Sequence, residues 1–304
     1  MNKTQGSTAG QYAIDKRRVR NNFHLAAGTY DQVAVLQREV ADRMLERLDL
    51  ITLKPQRILD LGSGTGYCSR ALADYYPDAE IVAMDIAPAM VQQSRKRFSR
   101  FERWRKSRQF VCADAESLPF SAGSFDMIFS SLAVQWCQDL DKLFTEFYRV
   151  MRKDAVLMFS SLGPDTLVEL RSAWAQVDEQ THVNAFIDMH DVGDAMIRAQ
   201  LAEPVLDVEN ISLTYSNAKR LLQDLKTLGS RNATEGRARG LTGKARLQAM
   251  YQAYERFRLP EGLPATYEVV YGHAWRGETS GKKKPQPTDE FHIPADFIPV
   301  NSRD

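Results

Sequence analysis

The sequence predicts an α/β protein: a seven-stranded sheet covered by helices. Three observations predict it. Short apolar runs alternate with stretches of helical periodicity, a glycine-rich turn joins the first run to the helix after it, and acids close the first two runs. The first run lies in RILDLGSGTGYC, residues 57–68. Ile58, Leu59 and Leu61 read as a short buried strand with Asp60 near its C-terminal end, and residues 67–76 read as a helix. Gly62, Gly64 and Gly66 stand at alternate positions between them, with Ser63 inside the turn. Such a turn lets a ligand approach the backbone, because no Cβ stands in the way. The helix N-terminus beyond it favours an anionic group. A dinucleotide fingerprint, G-x-G-x-x-G, is excluded because Tyr67 occupies its last position.

The remaining elements follow in order. Residues 1–12 are polar and contain Gly and Ser, and are expected to be disordered. Residues 13–50 read as one helical segment in which Val33, Leu36, Val40, Met44, Leu45 and Leu48 recur at spacings of three and four. The second apolar run, 81–84, ends on Asp85, 25 residues after Asp60, with Ile86 next to it. An acid there is placed to accept hydrogen bonds from two ribose hydroxyls. Phe110 and Val111 form a third run, followed closely by Asp114 and Ala115, and 124–131, ending at Ser131, is a fourth. Helices are expected at 89–98 and 140–151, and a fifth strand at 155–160. Gly163-Pro164-Asp165 should open a further helix with Pro in its first turn. Residues 217–228 and 244–257 read as two more helices and 265–275 as the last strand. The domain 51–276 thus carries helical insertions near 163–185 and 216–260. In an open α/β sheet the ligand lies at the carboxyl ends of the strands, so these insertions and the 13–50 segment are expected to form a helical lid. Residues 277–304 are charged and Pro-containing and read as a disordered tail.

Composition narrows the functional class. A chain of 304 residues that is 43% hydrophobic can bury a real core. A net charge of +1 gives no field suited to nucleic acid. Cys68, Cys112 and Cys137 form no Cys/His cluster, so no metal site is expected, and all three read as small buried hydrophobes. No apolar stretch approaches the roughly 20 residues of a membrane helix, and no secretory h-region stands at the N-terminus. A soluble cytoplasmic protein is expected.

The order GSGTG, VAMD, CADAESLPF, SFDMIFSSLAVQW closely resembles the cofactor-binding half of class I S-adenosylmethionine methyltransferases, over residues 55–162. The resemblance implies a Rossmann-like sheet, with a helix at 190–201 and the sixth strand at 204–215, and S-adenosylmethionine as cofactor. It places Asp60 near the methionine part through its charge, the backbones of Gly62, Ser63, Gly64 and Gly66 along the cofactor, Asp85 and Ile86 at the ribose, Asp114 and Ala115 at the adenine, and Ser131 at the same site. Outside that half, NNFHLAAGTYDQVAVLQREVADRMLERL and GPDTLVELR resemble the malonyl-acyl-carrier-protein O-methyltransferase family of biotin synthesis, with similarity over roughly 18–276. Phe23, Ala26, Ala27, Tyr30 and Gln37 fall on that family's leader pattern, which precedes a helix closing over cofactor and substrate.

The implied reaction esterifies the free carboxylate of a malonyl thioester. A carboxylate with a reference pKa near 4 is already ionised at pH 7 and needs no general base. Tyr30 is a candidate to bond that carboxylate or the cofactor's own, and Lys226 to offset the malonyl charge, with Arg198, Arg231, Arg237 and Arg239 as rivals for that job. The partner, an acyl carrier protein, is acidic and calls for a basic face. Residues 95–108, RKRFSRFERWRKSR, hold eight basic residues against one acid, and Phe98, Phe101 and Trp104 are expected to anchor that helix, an extension of the second core helix. Two other readings stand beside this one. GPDTLVELR and LPATYEVVYGHAW also resemble a protein-arginine hydroxylase of respiratory complex I assembly, and a non-catalytic assembly factor would keep the glycine loop as structure alone.

Overall fold

The computed structural model describes residues 14–105, 107–234, 240 and 242–277. The expected disordered ends, 1–12 and 277–304, lie outside those residues except for Gly277. Strands β1 (Arg57–Leu61), β2 (Glu80–Asp85), β3 (Arg108–Cys112), β4 (Phe125–Ser130), β5 (Met151–Leu162), β6 (Ala202–Tyr215) and β7 (Leu263–Trp275) form one sheet in the order β3-β2-β1-β4-β5-β7-β6. The first five are parallel, and β7 runs antiparallel to both β5 and β6. The order reverses between β1 and β4. In open α/β sheets a ligand crevice lies outside the carboxyl ends at such a reversal.

The helices are α1 (Lys16–Ala26), α2 (Tyr30–Val33), α3 (Val35–Glu46), α4 (Tyr67–Tyr75), α5 (Pro88–Lys96), α6 (Arg100–Arg105), α7 (Leu140–Val150), α8 (Val168–Trp174), α9 (Met189–Arg198), α10 (Ala218–Thr227) and α11 (Lys244–Tyr254). They cover both sheet faces because successive strand residues point to opposite sides. Ile58 joins Val40, Met44 and Leu72 in one core, and Leu59 and Leu61 join Phe144 and Phe147 in the other. Helix α7 shows how sequence selects an element. Asp139 caps it by accepting from the Lys142 N–H at 2.9 Å, and Leu140, Leu143, Phe144, Phe147 and Val150 line its buried face.

Four expectations are corrected. The 13–50 segment is not one helix: it breaks at Ala27–Thr29 around Gly28, a poor helix former, and again at Ala34, with α2 between the breaks. Pro164 does not open a helix. Residues 163–167 form a turn tied to β7, with Gly163 N–H donating to the Glu268 carbonyl at 2.8 Å and Leu167 N–H to the Thr266 carbonyl at 2.6 Å, and α8 starts at Val168. The basic stretch 95–108 is not a continuous helix: α5 stops at Lys96, α6 is a separate short helix, and Arg108 is buried as the first residue of β3. Phe98 is buried as expected, but Phe101 and Trp104 are 60% and 83% exposed. Finally, Cys68 and Cys137 are buried but Cys112, at the end of edge strand β3, is exposed.

The glycine loop fixes how α5 packs. Gly66 has φ +86°, and a Cβ there would stand 2.5 Å from Ser94 Oγ and 2.8 Å from Ser94 Cα on α5. A side chain at this position meets both backbone strain and a rigid neighbour. Gly66→Ala should lower the free energy of unfolding by about 2–4 kcal/mol in urea denaturation. A change below about 0.5 kcal/mol would show that the loop and α5 shift freely to admit a methyl group.

Candidate active site

The loop after β1 is pinned to the end of β2. Gly62 and Ser63 N–H groups donate to the Met84 carbonyl at 2.8 and 2.9 Å, and Gly64 N–H donates to Asp85 Oδ2 at 3.0 Å. Ala87 N–H donates to Asp85 Oδ1 at 2.8 Å. Asp85 is 9% exposed, and burial pushes its carboxyl up to about 6 even though these backbone donors favour its charged form. Gly64 has φ +53° and a Cβ there would meet nothing within 4 Å, so its backbone faces open space.

That space is a chamber of about 90 Å³ lined by Gly62, Gly64, Asp85, Ile86, Asp114, Ala115 and Ser131, with Val19 and Met90 as apolar walls. A second chamber, of about 200 Å³, lies beneath α1, α2, α3, α10 and the 162–186 segment. Phe23, Tyr30, Leu132 and Trp136 line both chambers and form the boundary between them. Phe23 and Trp136 meet edge to face, ring centroids 5.3 Å apart. Helix α11 packs behind α8 and α10. Residues of α1, α2, α3, α10 and the 162–186 segment thus line the second chamber, and α11 lines neither.

The sequence-predicted residues divide. Ser63 lines a groove that runs from the first chamber past Gln37, and Gln37 also lines the second chamber with its Oε1 buried and without a partner. The Ser63 hydroxyl is likewise buried and unbonded. Tyr30 reaches both chambers and the groove. Burial and the nearby Asp85 push its hydroxyl far above its ordinary range, so it stays protonated as a donor. Asp60 and Gly66 are not brought to either chamber. Asp60 is 1% exposed and accepts from the Ser69 hydroxyl inside the protein, where burial raises it to about 7, and Gly66 faces α5. Among the basic candidates, Arg198 is paired with Asp141 at 2.7 Å away from both chambers, and Arg237 and Arg239 lie outside the described residues. Lys226 and Arg231 line the second chamber from its exposed rim.

Other side chains at the site escaped sequence reasoning. Lys16 lines the first chamber and pairs with Asp114 at 2.7 Å and Glu116 at 2.9 Å, so the Asp114 carboxylate is already shared. Burial opposes the charge on Lys16, but these partners outweigh it and raise its pKa. Arg97 and Asp31 close at 2.6 Å, and the Thr65 hydroxyl donates to Asp31 at 2.6 Å, which clasps α2 to the glycine loop. Gln135 donates to the Leu132 carbonyl at 2.8 Å and leaves its Oε1 buried and unpaired at the second chamber. The tripeptide VQW after the fourth apolar run was the only signal for Gln135 and Trp136; nothing local marks the two ion pairs. No group of three or more metal-ligating side chains occurs among the described residues, and no helix among them is long and apolar enough to cross a membrane.

Comparison with known proteins agrees with this geometry. A family model described as a methyltransferase domain matches residues 59–159. A malonyl-[acyl-carrier protein] O-methyltransferase of Laribacter hongkongensis is 53% identical over 277 residues, 90% of this chain and 93% of the relative. One of Coxiella burnetii is 39% identical over 289 residues, 95% of this chain and 97% of the relative. The chain belongs to the malonyl-[acyl-carrier protein] O-methyltransferase family. It is therefore a methyltransferase. The solved structure of the YcgJ protein of Bacillus subtilis shares the fold at TM-score 0.55 and 17% identity, covering 79% of this chain and 99% of that one.

In this methyltransferase, the raised carboxyls make stability depend on pH. Asp60 and Asp85 titrate at about 7 and 6 in the folded chain against an ordinary value of 3.8. Between those values the folded state holds protons that the unfolded chain has released, so their contribution is full below about pH 4 and is lost as pH rises to about 7. Asp60→Asn should remove its share, of order 4 kcal/mol. Urea unfolding at pH 4.5 and 7.5 should show a smaller loss of stability in the variant than in the wild type; identical losses would mean that Asp60 titrates normally.

Proposed function

We propose that this chain transfers a methyl group from S-adenosylmethionine to the free carboxylate of a malonyl thioester carried by an acyl carrier protein, an early step of biotin synthesis in the cytoplasm. The observation that carries the reading is the meeting of two chambers at Tyr30, one edged by Asp85 and the glycine loop and one opening to solvent. The residues fit the cofactor. Gly64 N–H bonds one Asp85 oxygen and Ala87 N–H the other, and a carboxylate has acceptor capacity beyond these for a ribose diol. Ile86, Met90 and Ala115 offer apolar walls to a base, with Asp114 at its edge. The unbonded Ser63 hydroxyl and Gln37 Oε1 offer polar contacts to an amino-acid end. Bound there, S-adenosylmethionine supplies a cationic sulfonium methyl, so esterification cancels one positive and one negative charge.

The protein's own tasks are then to bind, orient and exclude water. Tyr30, kept protonated, donates a hydrogen bond to the incoming carboxylate and orients it. Correct placement of two reactants can contribute roughly 7–11 kcal/mol. Leu36, Leu132 and Leu167 in the second chamber keep water from the carboxylate. A fixed cation deep in that chamber would stabilise the charged reactants more than a transition state in which charge is disappearing. Lys226, expected from the sequence to offset the malonyl charge, lines the second chamber with an exposed side chain, and apart from it and Arg231 the lining holds no Lys, Arg, Asp or Glu. On the 95–108 stretch, Arg97 is committed to Asp31 and Arg108 is buried, and Arg95, Lys96 and Arg100 are exposed.

Labelled S-adenosylmethionine and malonyl-carrier protein should yield a product heavier by one methyl, and mild alkali should release the label as an ester does. A product stable to alkali, or no transfer, would refute the reading. Tyr30→Phe should lower kcat/KM by about 10–100-fold, the worth of one hydrogen bond to a charged group, while the thermal unfolding midpoint stays within a few degrees. Full activity in Tyr30→Phe would remove the orienting role.

A further inference from the structure

The second chamber is lined by Leu, Val, Phe, Trp and Tyr side chains together with a few buried polar ones. Nearly all of its lining residues are buried or half-buried. Only Lys226, on the last turn of α10, and Arg231, in the segment after it, are exposed. Both are cations, and neither is in an ion pair among the described residues. The mouth of the chamber is thus marked by two uncommitted positive charges five residues apart. Behind them on α11, Arg246 faces Asp178 at 3.7 Å, and Asp178 is itself held by His182 at 2.8 Å on the facing loop, where Glu179 is the exposed acid.

Resting on the proposed reaction, we infer that the acyl carrier protein docks over this mouth, with Lys226 and Arg231 meeting the anionic junction between the carrier and its arm. A carrier-borne acyl group comes on a flexible arm joined to the carrier through a phosphodiester, and the carrier surface around that junction is acidic. When the acyl end reaches Tyr30 the arm fills the apolar chamber, and its phosphodiester end must lie where the chamber opens. A pair of exposed cations at that opening matches a phosphodiester ringed by carboxylates. Rim charges act mainly on association and its salt dependence, which agrees with their exposure. The basic stretch 95–108, which sequence alone favours, has no such relation: none of its residues lines the second chamber, and Arg97, Arg103 and Arg108 are tied to Asp31, to the Arg95 and Phe98 carbonyls and to the Ala79 carbonyl.

The test compares two acceptors, malonyl-carrier protein and malonyl-pantetheine, which has the thioester and most of the arm but neither phosphate nor carrier. The double variant Lys226→Glu, Arg231→Glu should lose at least tenfold more kcat/KM toward the carrier-borne acceptor than toward malonyl-pantetheine. The fall in wild-type kcat/KM with added salt, measured on the carrier-borne acceptor, should flatten in the variant. Equal losses on both acceptors would overturn the docking assignment, because the two residues would then act on the acyl group or the fold. So would an unaffected double variant beside an Arg95→Glu, Lys96→Glu, Arg100→Glu variant that shows the selective loss. A wild type that methylates neither acceptor would overturn the proposed reaction itself, and the docking with it.

Discussion

The site depends on one buried carboxylate. Asp85 ends β2 in a position where water barely reaches it, and backbone N–H groups, among them those of Gly64 and Ala87, compensate it. A buried charge without such partners would cost several kcal/mol. The bonds therefore fix more than Asp85: they hold the loop after β1 against the start of α5, which leaves Gly64 facing the first chamber. The clasp of Arg97, Asp31 and Thr65 then fastens α2 onto that same loop. Tyr30 is the first residue of α2, so its place between the two chambers follows from bonds made well away from its hydroxyl.

Charge is distributed in keeping with this chemistry. The acids that define the first chamber are satisfied by backbone donors or by Lys16. The second chamber's lining holds no Asp or Glu, and its Lys and Arg, Lys226 and Arg231, are exposed. A reaction that joins opposite charges into a neutral ester gains from an interior that stabilises neither reactant strongly. Attraction for an anionic partner is more useful at the opening, where it acts on encounter.

Much of this was legible in the sequence because it is local. An apolar run, three alternating glycines and an acid closing the next run specify a strand, a loop and a second strand tip that lie side by side in a parallel sheet, and the structure places Gly62, Gly64, Asp85 and Ile86 around one chamber. The leader pattern likewise put Tyr30 and Gln37 on the lid. What sequence could not show depended on distant partners. Asp60 and Asp85 look alike as acids at strand ends, yet Asp60 turns inward to Ser69 while Asp85 faces the chamber. Gly66 belongs to the same motif as Gly64, but Ser94 decides its role. The spacing of Phe98, Phe101 and Trp104 suggested a continuous helix, and the break after Lys96 turned two of the three outward. Lys16 and Asp114 are 98 residues apart, and Arg97 and Asp31 are 66 apart, so no window of sequence could pair them.

The central claim is that a nucleoside lies across the tips of β1, β2 and β3 with its sulfur end turned to Tyr30. A crystal structure with S-adenosylhomocysteine tests it most directly. The account predicts the ribose hydroxyls on Asp85, the base between Ile86 and Ala115, and the sulfur at the boundary of the two chambers. Density for the compound on another face of the sheet, or with its sulfur turned away from Tyr30, would contradict it.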